Sequence, residues 1–383
     1  SEILSTMPTS IYRMDWDVLD DSDLEGSYRT DMQYDALGRP VEITLPMDVS
    51  SGRKVIEPVY NRAGAMTAIK LDTEEYVSRI AYNARGQRIL VAYDHPDLNS
   101  PFMTRYAYDP VNFRLLRHKT EDYAATGLTF TPQSGSTRQD CAYVYDLAGN
   151  IVEMKDDSPS AGLAGANGPF SREFDYDALY RLVYATGREA GSHLSTSDPN
   201  FRPTPDTSAG GTVAYYREYT YDKLGNMLDL YHHGGTGNQF HRVFNSTSSN
   251  PFALSNLATD IEYAGTVVNY TFDANGNMLT EGAGRSFEWD FADQLRGFAE
   301  GTTTAAYFYD AGGNRVKKVV RKSASLKEVT VYIDGGFEYI YTLDGSNSVI
   351  DDWNEIHVMD DRSRVARVKV EVGTTDEVKY NLE

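Results

Sequence analysis

The chain repeatedly writes an aromatic, then Asp or Asn, two variable positions, Gly, a polar residue and an aliphatic. Tyr221-Asp222-Lys223-Leu224-Gly225-Asn226-Met227 is the clearest copy. Tyr34-Asp35 with Gly38, Tyr145-Asp146 with Gly149, and Tyr309-Asp310 with Gly313 repeat it, and Phe272-Asp273 with Gly276 does so with Phe for Tyr. Looser copies start at Tyr60, Tyr82, Tyr108, Tyr176 and Trp289. The aromatic closes a strand of alternating character such as Arg217-Glu218-Tyr219-Thr220-Tyr221. Asp or Asn opens a turn by accepting hydrogen bonds from nearby backbone amides. Gly takes the left-handed conformation that ends a type I turn with a bulge. Each copy is therefore a β-hairpin, and the expected site residues are structural: Tyr34, Asp35, Gly38, Tyr145, Asp146, Gly149, Tyr221, Asp222, Gly225, Phe272, Asp273, Gly276, Tyr309, Asp310 and Gly313.

Spacing separates the repeat folds. Phe272 and Trp289 lie 17 residues apart, whereas Tyr221 and Phe272 lie 51 apart. A propeller needs a nearly constant period and a β-helix needs fixed rungs, so an irregular ribbon of hairpins fits best. Strands are expected at Val41–Leu45, Arg88–Tyr93, Glu328–Ile333, Phe337–Leu343, Glu355–Met359 and Val365–Val372. Residues 121–138 read as a long crossing loop, 187–212 as an irregular insertion, and Pro251–Leu257 as one short helical turn. Tyr180 stands where Gly is expected, so that position must turn differently or carry left-handed strain. The fold class is all-β.

The 383 residues include 28 Tyr and 31 Gly, which suits many short strands joined by tight turns. Against 36 Lys and Arg stand 56 Asp and Glu, a net charge of −20, which argues against nucleic acid and anionic membranes as partners. The single Cys141 allows no internal disulfide. No signal peptide and no transmembrane helix is visible. Residues 1–30 form an acidic segment and 31–383 the repeat region. A chain that starts with Ser and ends within its pattern reads as a piece of a longer protein.

Enzyme and metal chemistry find little support in these residues. No nucleophile elbow, P-loop or dinucleotide glycine pattern occurs. Asp21-Ser22-Asp23-Leu24-Glu25 opens like a calcium loop, but Met32 occupies the position of the bidentate carboxylate. His232, His233 and His241 have no Cys or carboxylate at ligand spacing, and Gly234-Gly235 marks a turn beside them. Asp351-Asp352 and Asp360-Asp361 read as turn residues, since neighbours on a strand face opposite ways. The aromatics read as wall packing ahead of sugar-stacking platforms. No catalytic residue, metal or cofactor is expected.

These repeats resemble the YD repeats of the RHS-repeat family, which includes bacterial polymorphic toxins, the B/C components of insecticidal toxin complexes and the teneurin shell. Phe174–Glu189 (FDYDALYRLVYATGRE), Phe287–Arg296 (FEWDFADQLR) and His357–Ala366 (HVMDDRSRVA) resemble the insecticidal toxin complex branch. The resemblance covers roughly residues 30–380. It implies hairpins coiled as a continuous spiral sheet, part of a hollow cocoon-like shell that encloses a C-terminal toxic polypeptide until delivery. The implied partners are the remainder of the shell, that toxin and a toxin-complex translocation component, in a protein secreted or exported from bacteria. The family's autoproteolytic segment would lie beyond residue 383, so the resemblance assigns no catalytic residue here. The alternative is a teneurin-like adhesion or glycan-recognition module.

Overall fold

The computed structural model describes residues 27–94, 100–127, 129–158, 170–190, 212–234, 239–246, 258–263 and 266–380. The acidic stretch at 21–26 and the expected helical turn at Pro251–Leu257 lie outside them. Among the described residues there are 28 strands and no α-helix. The chain divides into two compact units.

The first unit takes Ser1–Ile80, Tyr93–Asn99 and Ala283–Glu383. It holds an antiparallel sheet of five strands in sequence order: β1 (Asp31–Tyr34), β2 (Pro40–Met47), β3 (Arg53–Tyr60), β4 (Met66–Leu71) and β5 (Glu74–Val77). It also holds an antiparallel run from β20 (Arg285–Trp289) to β28 (Glu377–Tyr380), each strand pairing with the next. Within that run are β21 (Leu295–Glu300), β22 (Thr303–Tyr309), β23 (Arg315–Ser323), β24 (Leu326–Ile333), β25 (Phe337–Leu343), β26 (Val349–Met359) and β27 (Arg364–Val370). Period-two alternation puts Ile69, Leu71 and Val77 from the sheet, and Val329, Ile356, Val358, Val368 and Val370 from the run, out of solvent. The two stretches are tied together by Tyr76 stacking on Tyr380 (5.8 Å), by Lys54 pairing with Asp376 (2.8 Å), and by the Val49 amide donating to Asn354 Oδ1 (2.7 Å).

The second unit takes Ala81–Ala92 and Ser100–Gly282. Its strands run from β8 (Phe102–Tyr108) to β19 (Met278–Glu281), again each antiparallel to the next in sequence. Ala92, Met103 and Tyr123 form a small buried cluster, with Leu90 and Phe130 against it. From β11 (Ile151–Asp156) onward most described side chains are only half-buried, as in a wall one sheet thick. Cohesion there comes from cross-strand pairs, each contributing roughly 0.2–1 kcal/mol.

The crossing loop expected over 121–138 is not a loop. Residues 115–126 form β9 and 129–145 form β10, one long hairpin turning at Gly127. Its outer part is exposed on β10, so no apolar alternation marks it. The slip between Pro132 and Thr137 is absorbed by Ser136, whose hydroxyl donates to the Gln133 carbonyl and accepts from the Asp122 amide. Asp351 and Asp352 are likewise not turn residues: both lie within β26, where Asp352 accepts the Tyr339 hydroxyl (3.0 Å).

Candidate functional site: a ladder of stitched turns

Each repeat closes in the same way. The Asp222 amide donates to the Asn226 carbonyl (2.9 Å), and the Gly225 amide returns to the Asp222 carbonyl (3.2 Å). Beneath the loop, Asp222 Oδ1 accepts the amides of Leu224 and Asn226, both at 2.8 Å. Asp35, Asp273 and Asp310 accept the corresponding two amides, and Asp146 takes those of Gly149 and Asn150. A register slip falls at the aromatic in every case, between Gln33 and Tyr34, Val144 and Tyr145, Thr220 and Tyr221, Thr271 and Phe272, and Phe308 and Tyr309. That slip is the bulge a left-handed final residue creates. Gly38, Gly149, Gly225, Gly276 and Gly313 all have positive φ.

The same loop forms without glycine. Tyr180 takes φ 62° and Asp293 58°, while Phe113 (64°) holds the left-handed place in a loop one residue longer, closed by Asp109 and Arg114. Two further copies, opened by Asp48 and Asp344, were missed in the sequence because Ser51 (φ 65°) and Asn347 (φ 63°) hold the left-handed place. Each such residue costs on the order of 1–3 kcal/mol, which the surrounding hydrogen bonds must offset.

The hydrogen bonds also set the charge state. The side-chain amides of Asn226, Asn277, Asn314 and Asn150 hold Asp222, Asp273, Asp310 and Asp146 below the ordinary carboxylate range. The Arg39 guanidinium does so for Asp35, and the Arg181 backbone amide for Asp177.

The tyrosines do more than close strands. In five copies the hydroxyl donates to the carbonyl of the first residue after the preceding turn, whereas that of Tyr34 donates to Met32 Sδ (3.2 Å). Tyr108 reaches Arg88 (2.9 Å), Tyr145 reaches Leu115 (2.7 Å), Tyr176 reaches Ile151 (2.9 Å), Tyr221 reaches Leu182 (2.8 Å) and Tyr309 reaches Leu295 (2.8 Å). Burial pushes the phenols of Tyr145, Tyr176, Tyr221 and Tyr309 up.

The polar residue that follows the left-handed position does work that depends on its length. Asn is short and bonds its own Asp, as Asn150 and Asn226 do (2.7 and 2.8 Å). Arg and Gln are long enough to reach the next turn, and Arg39, Arg181 and Gln87 bond the Asp or Asn of their own turn as well. Arg114 donates to the carbonyls of Asp146 and Ala148 and lies over Tyr145; Arg181 donates to the Asp222 carbonyl (2.8 Å) and lies over Tyr221. Gln87 reaches the Phe113 carbonyl (2.9 Å) and Gln294 that of Gly313 (3.3 Å). A Cβ on Gly149 would stand 2.4 Å from Arg114 Nη2, and one on Gly313 2.9 Å from Gln294 Nε2. At these positions Gly supplies room as well as φ.

The three histidines considered for metal binding do not form one ligand set. His232 and His233 end strand β15 (Met227–His233) and point to opposite faces; they are not turn residues. His232 Nε2 meets Glu189 (3.0 Å), His233 meets Glu218 (3.2 Å) and His241 meets Asp229 (2.8 Å). Their rings continue aromatic rows: Tyr184, Tyr216, His233, Tyr231 and His241 on one face, and Tyr215, His232 and Phe240 on the other. Among the described residues one group could hold a cation, Glu338, Glu355 and His357, which sequence spacing did not suggest.

No protein-family model matches the chain. It is similar to toxin subunits YenC1 and YenC2 of Yersinia entomophaga, 26% identical over 255 residues (63% of this chain, 24% of YenC1) and 27% over 308 residues (76% of this chain, 30% of YenC2). A crystal structure of TcdB2-TccC3-Cdc42 superposes with a TM-score of 0.76 over 96% of this chain and 18% of its own, at 20% identity, a likeness of fold. The hairpin array, its turns and these likenesses together support a relationship to RHS/YD-repeat proteins. Within that class, the chain is related to the C components of insecticidal toxin complexes. It spans less than a third of the length of the curated relatives it matches.

Proposed function

We propose that this chain is a wall segment of an RHS-repeat toxin shell that encloses a C-terminal toxic polypeptide before delivery. It acts by confinement and not by catalysis. The observation that carries this is the turn-to-turn stitching: Tyr hydroxyls and Arg or Gln side chains join successive hairpins into a wall that needs little core. Such a wall leaves few strand edges open, which suits a container that must hold an unfolded or reactive chain without aggregating with it. The partners on this reading are the rest of the shell, the cargo, and a translocation component, as TccC3 is crystallised with TcdB2. Export from a bacterial cell belongs to the same reading. No described helix is long and apolar enough to cross a membrane.

The test uses the full-length gene product carrying its C-terminal region. Limited proteolysis should leave that region intact until the shell is denatured, whereas the isolated region is digested at once. Equal digestion of enclosed and isolated cargo would overturn the proposal. A second reading, glycan or receptor recognition, draws on the partly exposed row of Tyr216, His233 and His241. Saturable binding on a glycan array that is lost in Tyr216→Ala would favour it.

A further inference from the structure

Glu355 and His357 are two residues apart on β26 and so share a face, and Glu338 on β25 stands directly opposite Glu355 in register. One donor atom from each lies within 4.8 Å of the others. His357 Nε2 and Glu338 Oε1 are 3.4 Å apart, close enough for an ion pair, yet the angles make no hydrogen bond. His357 Nε2 is buried and has no hydrogen-bond partner in the protein. Two atoms bound at about 2.1 Å to one tetrahedral cation stand roughly 3.4 Å apart. A buried polar atom without a partner costs on the order of 1–3 kcal/mol, so the arrangement calls for a further group.

We infer that Glu338, Glu355 and His357 form a divalent-cation site of the Zn²⁺ class that clips β25 to β26. One imidazole and two carboxylates suit Zn²⁺ better than Ca²⁺ or Mg²⁺, which take oxygen ligands alone. Glu338 and Glu355 stand directly opposite each other, a like-charge conflict that a cation removes and that the nearby Lys318, Arg315 and Arg364 offset only in part. Arg367 donates to Glu355 Oε2 (3.3 Å), which leaves Oε1 for the metal. The position also fits a structural role, since the hairpin it would clip carries the buried Phe337, Ile340 and Ile356.

The chain, freed of metal with a chelator, is titrated with Zn²⁺ by calorimetry and, separately, with Co²⁺ by visible absorption. The expected result is one saturable equivalent, the bands of four-coordinate Co²⁺, and a thermal midpoint raised by Zn²⁺. His357→Gln and Glu338→Gln should each weaken binding at least tenfold, while His241→Gln, which alters a surface histidine on another strand, leaves it unchanged. Should His357→Gln lose its β-sheet circular dichroism, the near-isosteric Glu338→Gln decides. Unsaturable uptake, or the same stoichiometry and affinity in Glu338→Gln, overturns the assignment.

Discussion

Gly149→Ala and Gly225→Ala make the same chemical change in the same loop, yet their surroundings differ. Both residues have positive φ, 108° and 98°, so an L-alanine at either pays backbone strain of about 1–2 kcal/mol. Around Gly225 nothing lies within 4 Å of the new methyl, and strain is the whole cost. At Gly149 the methyl meets Arg114 at 2.4 Å and must displace it. Arg114 then loses its bonds to the Asp146 and Ala148 carbonyls (3.2 and 3.3 Å) and its seat over Tyr145. These contacts are half-exposed and slightly long, so together they are worth about 1 kcal/mol, not the full value of buried ones. Gly149→Ala should therefore cost about 2–3 kcal/mol and Gly225→Ala about 1–2. The assay is urea unfolding of each variant, read with amide exchange at the two hairpins, repeated in an Arg114→Ala background. There the excess at Gly149 should vanish, giving a coupling of about 1 kcal/mol. Additive effects, or equal costs at the two glycines in the native background, would refute the claim that Gly149 makes room for Arg114.

Tyr221→Phe removes the hydroxyl that donates to Leu182 and should cost about 0.5–1.5 kcal/mol, with faster exchange around Leu182; unchanged exchange there would count against the latch. The turn aspartates Asp35, Asp146, Asp222, Asp273 and Asp310 are all held low, so their stabilisation is present above the ordinary carboxylate pKa and is lost as pH falls through the lower folded values. Acid unfolding followed by circular dichroism should show this loss, and Asp222→Asn should blunt it; stability flat across that range contradicts the turn chemistry. Burial, then the hydrogen bond to Asp352, pushes Tyr339 up to about 12. Its contribution is complete below the ordinary phenol value and disappears as pH rises through about 12, so ultraviolet titration should show a phenol at about 12, among several raised ones, that moves earlier in Asp352→Asn.

The turns were legible because every group that makes them lies within five residues. Asp222, Gly225 and Asn226 satisfy one another, and no distant strand is consulted. Strands flanked by such turns followed, among them Arg88–Tyr93 and Phe337–Leu343. Reading failed where the signal was not local or not apolar. The ribbon at 121–138 is a Thr- and Ser-bearing hairpin, exposed over the outer part of β10, whose strands are revealed only by pairing with each other. Ser51 and Asn347 hid two turns because glycine is the cheapest left-handed residue, not a required one.

What tertiary structure alone decided is which residues meet across the sheet. The hydroxyl of Tyr221 finds Leu182, 39 residues earlier, because an insertion between them leaves the strand order intact. His232 and His233 part company because neighbours on a strand face opposite ways, while Glu338 and His357 come together because register sets Glu338 against Glu355. Turn chemistry depends on the order of side chains along the backbone, so sequence carries it. Register and facing depend on how many residues each strand and loop spends, and that is settled only when the strands pair.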